Sequence, residues 1–204
     1  MQNIRNIIFD LGGVILDIDF KRMEKAFVDL GVINFNEFFG LGHAESFFKD
    51  YEAGKITDDE FLGSLQKLAK HSLEPGVVQK AWNALLISFP AERIELLKRL
   101  KSRYRLFLLS NTNAIHLAAF QKIYHEEFNN GTLENLFEKV YYSHLIGLRK
   151  PNKEVYEYVL RENKLRPDQT LFIDDARINI EAALESGMKA IHLQPGKTLL
   201  DLDL

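Results

Sequence analysis

The chain has 204 residues, 46% of them hydrophobic and 27% charged, which suits one sizeable domain or a core with an insert and argues against general disorder. Its net charge of −3 offers no basic excess for a nucleic-acid backbone, and the absence of cysteine removes disulfides and thiol catalysis. The opening MQNIRNIIFDLGG enters a strand-like run without a signal-type apolar region, and no apolar stretch nears the ~18 residues a membrane span needs. A cytoplasmic protein is expected, with neither nucleic acid nor membrane among its partners.

The first apolar run is NIIF at 6–9, followed at once by Asp10 and by Gly12 and Gly13. From about 17 to 89 no strand is evident and the periodicity is helical. Helices are expected over 20–30, 35–51 and 77–87, with another after Thr57, where Thr57 and Glu60 form a capping box ahead of Phe61, Leu62, Leu65 and Leu68. Strand and helix then alternate. Strands are expected at 105–109 (RLFLL), 139–142 (KVYY), 170–173 (TLFI) and 189–193 (KAIHL), and helices at 91–101, 115–124, 153–163 and 176–185. In the last helix Ile178, Ala182 and Leu184 are expected to supply the apolar face, with Gly187 as the left-handed terminator. Near-continuous hydrophobicity suits strands covered on both faces. The fold expected is α/β: a doubly wound, mainly parallel, Rossmann-like sheet built from 1–15 and 90–204, with a helical cap inserted at 16–89.

Ligands of open α/β sheets bind at the carboxyl ends of the strands. There the chain places Asp10 after the first strand, Ser110 and Asn111 after the second, Lys150 shortly after the third, and Asp174 with Asp175 after the fourth. A single carboxylate after a strand commonly caps the next helix, but three on one rim repel each other unless a cation lies between them. Hard oxygen ligands favour Mg²⁺. Asp10 is then a ligand and a covalent nucleophile, Gly12 and Gly13 allow backbone to approach a phosphate, Ser110 and Asn111 bind phosphoryl oxygens, and Lys150 neutralises charge. Neither a zinc spacing among the histidines nor an internal repeat occurs.

Four segments, IIFDLGGV at 7–14, LLSNTN at 108–113, GLRKPNKEVY at 147–156 and FIDDARINI at 172–180, resemble in order the four motifs of the haloacid dehalogenase superfamily. The helical insert resembles that family's cap, and DLGGVILDIDF further resembles a bacterial subgroup that includes α-D-glucose-1-phosphate phosphatase. The resemblance implies Asp10 as nucleophile and metal ligand, and the Gly12 carbonyl facing the metal. It implies Ser110 at the phosphate, Lys150 holding the phosphoryl group, and Asp174 and Asp175 at Mg²⁺. Asn179, four residues beyond Asp175, would support the site from the next helix. It implies a phosphatase acting on a small phosphorylated metabolite, a sugar phosphate being favoured.

One position departs from the family pattern. Most phosphatases of that family carry a second aspartate two residues after the nucleophile as general acid/base, and here it is Gly12. Losing such help typically costs about 10²–10⁴-fold. Asp17 and Asp19 are nearby substitutes, although capping the first cap helix or a hinge hydrogen bond suits them better. Three readings compete with a metal-dependent phosphatase: a metal-independent dehalogenase, a phospho-accepting receiver domain, and a catalytically weakened regulatory protein. Among other polar residues, His43 with Glu45 is a candidate substrate contact whose plainer reading is exposed helix polarity, and Arg149 is expected either to reach substrate or to pair with an acid at the surface. His116, after LLSNTN, is a candidate site contact that a surface or packing role suits better; His144 suits a local hydrogen bond, and the cap aromatics Phe35, Phe38, Phe39, Phe47, Phe48 and Tyr51 a packed core.

Overall fold

The computed structural model describes residues 3–32, 35, 46–69, 72–129 and 131–204. Five parallel strands make the main sheet: β1 (Asn6–Phe9), β4 (Arg105–Ser110), β5 (Lys139–Tyr142), β6 (Thr170–Asp174) and β7 (Lys189–His192), in the order β5-β4-β1-β6-β7. β1 is central and buried throughout. Its alternate side chains feed two different cores. Ile7 and Phe9 pack with Leu106, Leu108, Leu171 and Ile173 on one face. Ile8 packs with Phe107, Leu109 and Phe172 on the other. That two-sided burial is why these strands read as unbroken apolar runs.

Helices cover both faces: α5 (Ala91–Leu100), α6 (Ala114–Glu127), α7 (Ser143–Ile146), α8 (Lys153–Glu162) and α9 (Arg177–Glu185). The chain runs outward from β1 through β4 to β5, then crosses back to β6 on the other side of β1. The carboxyl ends of β4, β1 and β6 therefore lie side by side at the switch point, in register at Leu108, Phe9 and Ile173.

The last helix corrects the expected face. Ile178 and Leu184 are 59% and 52% exposed, whereas Asn179, Ile180 and Ala183 are buried. Six residues is well off a whole number of helical turns, so Ile178 and Leu184 cannot share a buried stripe, while Asn179, Ile180 and Ala183 can. Gly187 does adopt the left-handed conformation, at φ 80°.

Between β1 and β4 lie α1 (Phe20–Asp29), α2 (Ser46–Glu52), α3 (Asp58–Gln66) and α4 (Pro75–Asn83). They share an aromatic core of their own: Phe27 and Phe35 stack at 4.2 Å, Tyr51 and Phe61 at 4.0 Å, and Trp82 packs edge-on to Phe61. Phe48 joins this core and Phe47 packs against it, as the packing reading required; Phe38, Phe39, His43 and Glu45 lie outside the described residues. The Thr57–Glu60 capping box is formed, with both reciprocal bonds present.

The insert is not purely helical, contrary to expectation. Asp17–Ile18 (β2) and Leu86–Ser88 (β3) pair antiparallel where the chain enters and leaves it. The helix expected through Ile87 ends earlier, α4 stopping at Asn83. Strands this short display no periodicity, so only the pairing of distant segments reveals them. Among the described residues no helix is long and apolar enough to cross a membrane.

Candidate active site

Asp10 follows β1 directly, and its backbone N–H continues the ladder to the Ile173 carbonyl at 2.9 Å. Asp174 closes β6 and is fully buried. Lys150, 1% exposed, lies between them: its Nζ is 2.7 Å from Asp10 Oδ1 and 2.6 Å from Asp174 Oδ2. Asp175 completes the set. One ligand atom from each of Asp10, Asp174 and Asp175 lies within 4.8 Å of the others.

Burial pushes the Asp10 carboxyl up to about 7, against the lowering field of Lys150, with Asp174 and Asp175 adding to the rise. Asp175 is also raised, first by burial and then by Asp174. Burial alone would lower the Lys150 ammonium, but the charges of Asp10 and Asp174 hold it above the usual lysine range. Three carboxylates against one ammonium leave negative charge uncompensated at a rim where Asp174 is buried, Asp10 partly buried and Asp175 exposed. Such an oxygen-rich donor set fits a hard divalent cation, with Asp10, Asp174 and Asp175 as the residues to hold it.

The supporting contacts orient these groups. Asn179 Nδ2 donates to both carboxylate oxygens of Asp174 at 3.0 Å, and the Ala176 N–H donates to Asp174 Oδ1 at 2.8 Å. Tyr156 in turn donates to the Asn179 carbonyl. Asn179 thus bonds Asp174, five residues before it, and not Asp175.

Ser110 ends β4, buried at the same rim. Asn111 does something its position in the sequence does not reveal. Its Nδ2 donates to the Lys150 carbonyl at 2.8 Å and its Oδ1 accepts the Lys150 N–H at 2.9 Å. The carboxamide grips the lysine loop from both sides. Beyond it, the Ser143 hydroxyl bridges the Thr112 N–H and carbonyl.

Gly13 also differs from expectation. Its N–H is given to the Leu16 carbonyl at 2.9 Å, so that amide is engaged within the turn. Its glycine requirement has another cause: φ is 74°, and a β-carbon there would collide with the Asp175 carboxylate. At Gly12 a β-carbon would sit 3.2 Å from Ile18 Cδ1, so the place of an acid/base side chain is bordered by an apolar residue of β2.

The substitutes considered for Gly12 have other occupations. Asp19 caps α1, accepting from the N–H groups of Lys21 and Arg22. Asp17 pairs with the buried Arg93 at 2.7 Å. His116 is buried and stacks on Trp82 at 4.6 Å, and burial takes its pKa down to about 4, so it is neutral packing. His144 Nδ1 meets the Thr112 carbonyl at 3.2 Å, a bond to the loop after β4 rather than the local one expected. Arg149 turns away from Lys150 to Glu52 of α2. No signal in the sequence pairs Arg149 with Glu52 or Asn111 with Lys150, because both contacts join segments far apart in the chain.

Fold and rim together define a Rossmann-like α/β protein with a cluster of carboxylates at its strand ends. The chain belongs to the haloacid dehalogenase-like hydrolase family, whose match spans residues 4–187. It is 30% identical to D-ribitol-5-phosphate phosphatase of Bacteroides thetaiotaomicron, over 95% of this chain and 93% of that protein. It is 27% identical to the sesquiterpene phosphatase astK of Aspergillus oryzae, over 91% of this chain and 88% of that protein. A haloacid-dehalogenase-family enzyme of Bacteroides thetaiotaomicron, solved with magnesium and inorganic phosphate, superposes with a TM-score of 0.90. That likeness covers 95% of this chain and 96% of that one at 31% identity.

Proposed function

We propose that the chain is a Mg²⁺-dependent phosphatase of small phosphorylated metabolites, polyol and sugar phosphates foremost, working through an aspartyl-phosphate on Asp10. The observation that carries this is the Lys150 ammonium held between Asp10 and Asp174, with Asp175 beside them. In this reading residues 1–15 and 90–204 form the catalytic core and 16–89 the cap. The likeness to a ribitol-phosphate phosphatase favours a polyol or sugar phosphate, with α-D-glucose 1-phosphate a further candidate.

A carboxylate oxygen of Asp10 attacks phosphorus in line, the ester P–O bond breaks, and the leaving oxygen takes its proton from water, because Gly12 has none to give. Water then attacks the aspartyl-phosphate phosphorus, regenerating the Asp10 carboxylate and releasing inorganic phosphate. Lys150 opposes the rise that burial imposes on the Asp10 carboxyl and faces the charge on the phosphoryl oxygens, while Ser110 offers its hydroxyl to one of them. Mg²⁺ would supply charge neutralisation of the phosphoryl group, held by Asp10, Asp174 and Asp175 and the Gly12 carbonyl. Asn179 keeps Asp174 oriented and Asn111 keeps the Lys150 loop in place. A dehalogenase reading fits less well, since three clustered carboxylates serve no metal-free attack on carbon.

The test is phosphate release from ribitol 5-phosphate, glucose 1-phosphate and p-nitrophenyl phosphate, with Mg²⁺ or with chelator, in native protein and in Asp10→Asn. Release abolished by chelator and by Asp10→Asn is expected. Turnover that survives either one sinks the corresponding half of the proposal, and no release from any phosphoester favours the regulatory reading that Gly12 suggests.

A further inference from the structure

Three residues at and just beyond the end of α2, Tyr51, Glu52 and Gly54, reach from the insert to the core rim beside Lys150. The Tyr51 hydroxyl accepts the Ile115 N–H at 3.3 Å while donating to Asp58 at 2.6 Å. Glu52 Oε2 accepts from Arg149 Nη2 at 2.7 Å and from Arg149 Nε at 3.1 Å. Gly54, at φ 67°, lies so close to the His144 carbonyl that no side chain would fit there. The ion pair is largely shielded, its side chains 25% and 22% exposed.

The two ends of this contact differ in how firmly they are held. Arg149 precedes Lys150, whose backbone is gripped by Asn111 and whose ammonium is fixed by two carboxylates. Arg149 is therefore the anchored partner. Glu52 belongs to the insert, which joins the core through the β2–β3 pair, with the Asp17–Arg93 ion pair and the Trp82–His116 stack beside that junction. The 51–54 contact is a second seat, on the rim that carries Lys150.

We infer that Glu52 is a positioning residue: through Arg149 it seats the insert on the rim beside Lys150 and sets the fraction of molecules closed over Asp10. This takes the Asp10 rim to be the reaction site, as proposed above. When the pair is broken, the seated fraction falls, and KM rises by the inverse of that fraction while kcat at saturation holds. Losing one partly shielded bidentate pair weakens the seating equilibrium about three- to tenfold, so for a parent seated about ten to one KM rises by roughly 1.2- to twofold.

The test uses Glu52→Gln, Arg149→Met and the exchanged pair Glu52→Arg/Arg149→Glu, each in full-length protein. Because the chain has no cysteine, spin labels on Val28→Cys in α1 and Leu184→Cys in α9, both exposed positions, report the insert–core distance directly. One narrow distance distribution is expected in the parent, a broader or longer one in each single variant, and a return to the narrow one in the exchanged pair. KM for p-nitrophenyl phosphate with Mg²⁺ should follow the same order, with melting temperatures changed by no more than about 3 °C. Distances unchanged in the single variants overturn the inference, as does an exchanged pair that melts like the parent yet stays broad. If the parent releases no phosphate, the phosphatase proposal falls, and the distance measurement still judges the seating.

Discussion

Replacing Lys150 by methionine removes the ammonium from between Asp10 and Asp174 and keeps an unbranched apolar stem. The native amine stands 2.7 and 2.6 Å from two carboxylates and is 1% exposed, so little water replaces it. Removing one partner of a buried ion pair costs about 3–5 kcal/mol. In a chain of this size each kcal/mol moves the melting temperature by about 2–4 °C, so Lys150→Met without metal should melt roughly 6–20 °C below native at pH 7.5. Lys150 is also the group that lowers the Asp10 carboxyl toward its value of about 7. Without it Asp10 rises further, and protonation of Asp10 relieves the repulsion. Between pH 4 and about 7 Asp10 keeps its proton in both folded proteins and its part of the deficit is level; above about 7 the native carboxyl ionises against Lys150 while the variant's stays protonated, and the deficit grows. Magnesium should recover part of the loss by replacing the missing positive charge. Thermal unfolding followed by circular dichroism at pH 5, pH 7.5 and pH 9, with chelator and with Mg²⁺, reads all of this. A variant as stable as native at pH 7.5 in chelator, with no pH dependence of the difference, refutes the electrostatic account of the rim.

Asp10→Asn should abolish phosphate release yet stabilise the metal-free protein. In native protein the Asp10 carboxyl is held at about 7 against an ordinary 3.8, so the folded state binds its proton more tightly than the unfolded one. That contribution is lost as pH rises from about 4 to about 7, and the stability gain of Asp10→Asn should grow over the same interval, measured by urea unfolding in chelator; a flat difference contradicts the assignment. Gly12→Asp should destabilise by about 1–3 kcal/mol, because its β-carbon meets Ile18 at 3.2 Å. Combined with Ile18→Ala it should recover stability and raise turnover of alkyl phosphates, which have poor leaving groups, more than that of p-nitrophenyl phosphate. Equal effects on both substrates would mean that position 12 does not face the leaving oxygen.

Much of the rim was legible because parallel strands end on one edge. NIIF, RLFLL and TLFI are buried on both faces, so their apolar runs mark the strands, and the residue after each run falls at the same level. Asp10, Ser110 and Asp174 could be placed on one rim from that alone. The pattern misled where burial did not follow hydrophobicity. Ile178 and Leu184 face water, while Asn179 is buried because Asp174 needs its amide. Residues 17–18 and 86–88 were unreadable as strands, since each pairs only with a distant partner.

Strand order along the chain, the acids at strand ends and the glycine at position 12 are local facts, written in residue type and spacing, and they suffice for an α/β fold with a carboxylate rim; that an acid is missing at Gly12 is what the family resemblance adds. The roles of Asn111, Gly13 and Glu52 are not local. Asn111 grips a loop 39 residues away. Gly13 yields space to Asp175, and Glu52 meets Arg149 across 97 residues. Such contacts depend on where packed elements come to rest relative to one another. A single chain's spacing has no term for that, so only the assembled fold shows which of its polar residues hold the site and which merely stand near it.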